Sequence, residues 1–137
     1  MLVYGPDAGL IRERADLLGR SAVADLDDPF RVSVLTGAAV VADPPRLAEE
    51  VAAMSLVGGR RLVRLRDAGD AVAPAVSRAL QDGAAGDTLL VVEAGELRPS
   101  SPLRKLFESA DAAAAVPCYV DEGAALERVL RDTLAQH

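Results

Sequence analysis

Five short aliphatic runs, starting roughly 25 to 30 residues apart, constrain this chain more than any other feature. They are Leu2-Val3-Tyr4, Val32-Ser33-Val34-Leu35, Leu62-Val63-Arg64-Leu65, Leu89-Leu90-Val91-Val92 and the stretch from Ala115 to Val120. That interval is the length of one strand plus a crossover helix. Runs of this kind, apolar on both faces and separated by amphipathic stretches, belong to a parallel sheet covered by helices. The pattern predicts a three-layer α/β/α domain with a five-stranded, mostly parallel sheet.

The intervening stretches carry helix signals. Ile11, Ala15, Leu18 and Ala22 recur at three- and four-residue steps. Asp43 before Pro44-Pro45 reads as an N-cap with proline at the first helical position. Leu47, Val51 and Met54 then form a core stripe, and Gly58-Gly59 read as the stop. A further helix starts near Pro74. Ser101-Pro102 opens another, with Leu103, Leu106, Phe107 and Ala110 on one face, and a last helix buries Leu126, Val129, Leu130 and Leu134.

At 137 residues the chain has room for one domain, residues 1–137, and one sizeable core. Half of it is apolar with ordinary charge content, as in a folded globule. No apolar stretch approaches the roughly 20 residues that span a bilayer, so no membrane contact is expected. Cys118 is the only cysteine, which suits a reducing, cytoplasmic compartment. The chain opens inside a strand and stops just after a helix, and it reads as a domain excised from a longer protein. A net charge of −6 and 3% aromatic residues argue against a domain that grips DNA by itself.

The first run ends in Gly5-Pro6-Asp7-Ala8-Gly9-Leu10-Ile11-Arg12, directly before a helix. This is the placement of a Walker A phosphate loop: strand, glycine turn, helix N-terminus. The chemistry needs G-x-x-x-x-G-K-[ST], whose lysine meets the β- and γ-phosphates and whose hydroxyl holds Mg²⁺. Counted from Gly5, the second glycine falls on Leu10, the lysine on Ile11 and the hydroxyl on Arg12. The chain therefore reads as a P-loop type of domain with a degenerate loop, no nucleotide cofactor and no metal. Ile11 belongs to the helix's core stripe, and Gly5 and Gly9 read as turn residues rather than nucleotide contacts. At the Walker B position the fourth run leads into Glu93 and Ala94, and Glu93 reads as a solvated strand end.

Other chemistries find little support. The only histidine is the terminal His137, which excludes zinc sites and histidine-based catalysis. Cys118, within a strand pattern, reads as a small buried apolar residue. Asp7, Asp67 and Glu93 each follow a strand, as in a phospho-acceptor receiver. A receiver also wants an acidic pair after strand one and a lysine after strand five, and the only lysine here is Lys105, in a helix. No catalytic residue is assigned. Arg60, Arg61, Arg64 and Arg66 read as solvating a sheet edge and pairing with surplus carboxylates, although such a cluster could touch DNA in an assembly.

The segment Met54-Ser55-Leu56-Val57-Gly58-Gly59-Arg60-Arg61 is the most informative one. If the helix of Leu47, Val51 and Met54 continues at about 100° per residue, Leu56 points away from the core stripe and Val57 falls beside it. Two adjacent aliphatics at a helix end, one aimed outward, make an anchor for a partner's hydrophobic pocket. The alternative is an apolar side chain tucked back under the last turn.

Three stretches together resemble the N-terminal domain of the delta-subunit family of bacterial DNA polymerase III, a part of the sliding-clamp loader. They are Leu2-Val3-Tyr4-Gly5-Pro6-Asp7; Met54-Ser55-Leu56-Val57 running into Arg60-Arg61-Leu62-Val63; and Leu103-Arg104-Lys105-Leu106-Phe107-Glu108 before Pro117-Cys118-Tyr119. Their order and spacing fit along essentially the whole chain. The resemblance implies an AAA+ type fold that does not hydrolyse ATP, within a parent holoenzyme that is a DNA-directed DNA polymerase. It implies that a Ser-Leu-Phe-like segment enters the hydrophobic pocket of the ring-shaped clamp, the beta subunit, and helps open it during DNA replication. By position Leu56 and Val57 are that pair, flanked by Met54 and Ser55. Val57 departs from the bulkier phenylalanine that is common there and buries less area, at roughly 25 cal/mol per Å². The family's lid and collar, which assemble the loader's other subunits, have no counterpart in these residues, and contact with DNA would come only through the assembly. The other readings of this sequence are a divergent working P-loop NTPase with Glu93 as base and an α/β domain with a different partner.

Overall fold

A computed structural model describes residues 1–53, 60–82, 88–109 and 115–117. Along the chain run β1 (Leu2–Tyr4), α1 (Ala8–Ala22), β2 (Val32–Thr36), α2 (Gly37–Ala42), α3 (Pro45–Ala52), β3 (Arg61–Ala68), a 3₁₀ turn (Asp70–Val72), α4 (Ala73–Asp82), β4 (Thr88–Ala94), α5 (Pro102–Ser109) and β5 (Ala115–Pro117). The expected helix around Leu126 to Leu134, together with Ala110, Cys118 and His137, lies outside the described residues.

Four strands form a parallel sheet in the order β2-β3-β4-β1, and the three-residue β5 runs parallel to β1 on its other side. From β1 the chain crosses by α1 to β2 at the far edge, then returns strand by strand through β3 and β4. Right-handed crossovers travelling in opposite directions place their helices on opposite faces. Two separate cores follow. Ile11, Ala15 and Leu18 of α1 pack on Val3, Leu62, Leu89 and Val91. Val40, Leu47, Val51, Val76, Leu103 and Phe107, from α2 to α5, pack on Leu2, Tyr4, Val63, Leu65, Leu90 and Val92. Successive residues of β1, β3 and β4 thus face different cores, which is why these strands are apolar on both sides. Helices cover both faces, an arrangement compatible with a three-layer α/β/α fold.

Local chemistry fixes the ends of α1. Asp7 is its N-cap, and the carboxylate accepts from the Leu10 N–H at 3.1 Å. Gly19 lets the helix sit close on the sheet, since a Cβ there would lie 2.8 Å from Leu62 Cδ2. The Ser101 hydroxyl accepts from the Arg104 N–H at 3.2 Å and so caps α5.

Three sequence expectations need correction. Asp43 does not cap α3 with its side chain; it closes α2, and Pro44 stands at the N-cap of α3 without a side-chain bond. α2 itself was not expected, because Gly-Ala-Ala-Val-Val-Ala has no polar face to mark a period. Finally, α3 ends at Ala52 and not at Gly58-Gly59, with Ala53 extended at ψ 143. Among the described residues no helix is long and apolar enough to cross a membrane.

Candidate functional site

β1 and β4 are neighbours whose following helices, α1 and α5, leave on opposite faces. In open α/β sheets this switch point opens a crevice outside the carboxyl ends of the strands, the usual place for a ligand. Here the crevice is about 160 Å³ and is lined by Ile11, Arg12, Arg66, Asp67, Glu93 and Gly95, among others. That is well below the several hundred Å³ of a nucleotide-sized pocket.

The residues that follow β1 explain why. Gly5 has φ 149, a conformation that favours glycine, and its N–H donates to the Gly95 carbonyl at 3.2 Å. Gly9, expected as a turn residue, instead lies in the first turn of α1. The Leu10 N–H goes to the Asp7 carboxylate and the Ile11 N–H to the Asp7 carbonyl. The Gly5, Leu10 and Ile11 amides are therefore spent within the chain, and Asp7 sets a negative charge at the helix N-terminus. Ile11, at the lysine position, is buried in the α1-side core.

Arg12, at the hydroxyl position, reaches into the crevice. Its Nε donates to Glu93 Oε1 at 3.1 Å. Arg64 Nη2 donates to Glu93 Oε2 at 3.0 Å, and Arg66 Nε lies 3.6 Å from the same oxygen. Arg64 Nη1 also pairs with Asp16 Oδ1 at 2.7 Å. Glu93 is only 5% exposed and Arg64 only 3%, so the expectation of a solvated strand end at Glu93 is overturned. Both oxygens of the Glu93 carboxylate are thus taken up by guanidinium groups.

The arginine cluster also departs from expectation. β3 lies between β2 and β4, so it is not an edge, and both Arg61 and Arg64 are buried. The expected pairing with carboxylates does occur, through Glu93, Asp16 and Glu50. Strand alternation held the missed signal. Leu62, Arg64 and Arg66 of β3 share a face with Leu89, Val91 and Glu93 of β4, so adjacency of the two strands brings the opposite charges together.

A second locus is the junction of α3 and β3. Arg61 Nη1 donates to the carbonyl oxygens of Glu50 at 2.6 Å and Ala53 at 3.3 Å, and Nη2 donates to Ser33 Oγ at 2.9 Å. A cation thus satisfies carbonyl groups at the C-terminus of α3, where the helix dipole favours positive charge. The same contacts tie both flanks of residues 54–59 together. Met54, Ser55, Leu56 and Val57 themselves lie outside the described residues. The helical phase that aimed Leu56 outward is broken before them, at the extended Ala53.

The receiver-like trio does not assemble as a phospho-acceptor site: Asp7 caps α1 and Glu93 is engaged by arginines, while Asp67 sits exposed at φ 54. Among the described residues no group of three or more metal-ligating side chains could hold an ion. Compared with known protein families, the chain matches none.

Proposed function

We propose that this chain is a non-catalytic clamp-binding module, a five-stranded AAA+ type domain with a degenerate Walker A loop that binds the sliding clamp of DNA polymerase III and helps open it. The observation that carries the non-catalytic half is the arginine-filled crevice, in which Arg12 holds Glu93, while the Leu10 and Ile11 amides go to Asp7 and the Gly5 amide to Gly95. The clamp as partner is supported by the resemblance at Met54-Ser55-Leu56-Val57. It is also supported by Arg61, whose bonds clamp the two flanks of that segment and would hold its ends in place for docking. Binding through a small aliphatic anchor on a rigid scaffold loses less ordering entropy than binding through a free tail.

The test is a pull-down with the bacterial clamp. Leu56→Ala with Val57→Ala should abolish capture and leave the circular dichroism spectrum unchanged. Capture that survives in the double variant sinks the assignment of the site. Titration of Mg·ATP by calorimetry should give no heat. Micromolar binding there would instead favour a working P-loop NTPase, and silence in both experiments would favour another protein partner.

A further inference from the structure

On the α1 face the sheet is covered unevenly. α1 lies over β1, β4 and the start of β3, and a groove of about 500 Å³ opens beside it. Arg12, Asp16 and Arg20 form one wall at four-residue spacing along α1, and Arg64 and Arg66 of β3 with Val34 of β2 form the floor. Val34 is 48% exposed, and Leu26 and Asp27 close the far side.

The charges in this groove do not balance. Four arginines face Asp16 and Asp27, and with Glu93 counted the surplus is one positive charge, on a chain whose net charge is −6. Glu93 lies behind them, and its two oxygens are shared by Arg12, Arg64 and Arg66. Asp16 is taken by Arg64. Arg20 is exposed, and no ion pair engages it among the described residues. Each guanidinium offers five donors, so this cluster has far more donor capacity than the local carboxylates use.

We propose that this groove binds an acidic segment of a partner protein, with carboxylates on Arg12, Arg20 and Arg66 and an aliphatic side chain over Val34. A nucleic acid fits less well. Its continuous phosphate backbone would meet Asp16 and Asp27 along the same groove, whereas spaced glutamates can meet the arginines and pass the aspartates.

The test uses a fluorescein-labelled octapeptide of alternating Glu and Val, titrated with the 137-residue chain and read by anisotropy. Saturable binding that weakens with added salt is expected. Arg20→Glu should weaken it about tenfold, and Arg46→Glu, the same charge change on α3 outside the groove, should leave it unchanged. Equal loss in both variants would reduce the effect to overall charge and overturn the proposal. So would the absence of saturable binding, or tighter binding of an oligothymidylate of equal length. The Arg20 side chain is exposed, so that variant should keep its fold.

Discussion

Taking away the Glu93 carboxylate would leave Arg64 buried with Asp16 as its one remaining charge partner among the described residues, and would turn Arg12 and Arg66 loose beside it. Breaking a buried ion pair from one side is costly, because the surviving charge stays desolvated. Glu93→Gln should therefore lower stability by about 3 kcal/mol, seen as a lower urea midpoint at unchanged m-value. Arg12 contributes little to that figure, since its side chain is half exposed and screened. Replacing Arg64 and Glu93 together by methionine should cost less than the sum of the single changes. Strict additivity in that cycle would mean the two charges do not interact. None of this could be read from Glu93 alone. A glutamate after an apolar strand is soluble or buried according to what the neighbouring strand offers, and here the answer lies 29 residues away at Arg64.

At the scale of elements, the strands were legible and some helix boundaries were not. β1, β3 and β4 are buried on both faces and so read as unbroken aliphatic runs. α1 showed its period, because only one of its faces meets the sheet. The end of α3 failed as a reading because Ala52-Ala53 carries no stop signal, and the real terminator is Arg61, eight residues beyond Ala53 and on another element. That contact gives Arg61 a positional role. Arg61→Met keeps the apolar stem but strips bonds from Glu50, Ala53 and Ser33, and should cost about 2 kcal/mol in urea unfolding. If the proposed clamp-binding role is right, it should also weaken clamp capture while Leu56 and Val57 are intact. A variant as stable as the parent would show that other groups hold the carbonyls at the end of α3. Gly37 is the counterpart at the start of α2: a Cβ there would lie 2.4 Å from the Asp67 carbonyl oxygen, so the helix approaches the end of β3 only because the residue is glycine.

For the molecule as a whole, β1 ties the two cores together, and Met1, the residue before it, couples that tie to pH. The Met1 amino group donates to the Leu90 carbonyl, and the Val92 N–H donates to the Met1 carbonyl at 2.7 Å, which is the bonding of a parallel ladder. A ladder at this depth calls for a neutral N–H, and burial pulls the amine down from 8.0 to about 5. The unfolded chain then binds a proton across that window that the folded chain refuses. Stability should rise with pH between about 5 and 8 and level off on either side, by an amount of order 4 kcal/mol for a shift of that size. Acetylating the amine turns it into an amide, which keeps the bond to Leu90 and carries no charge to desolvate. The acetylated chain should be the more stable one at pH 6, and its advantage should vanish above pH 8 as the free amine becomes neutral in both states. The difference between the two stability curves cancels the carboxylates that titrate alongside. A difference that stays flat from pH 5 to 8 would mean that Met1 is solvated and does not extend the ladder of β1.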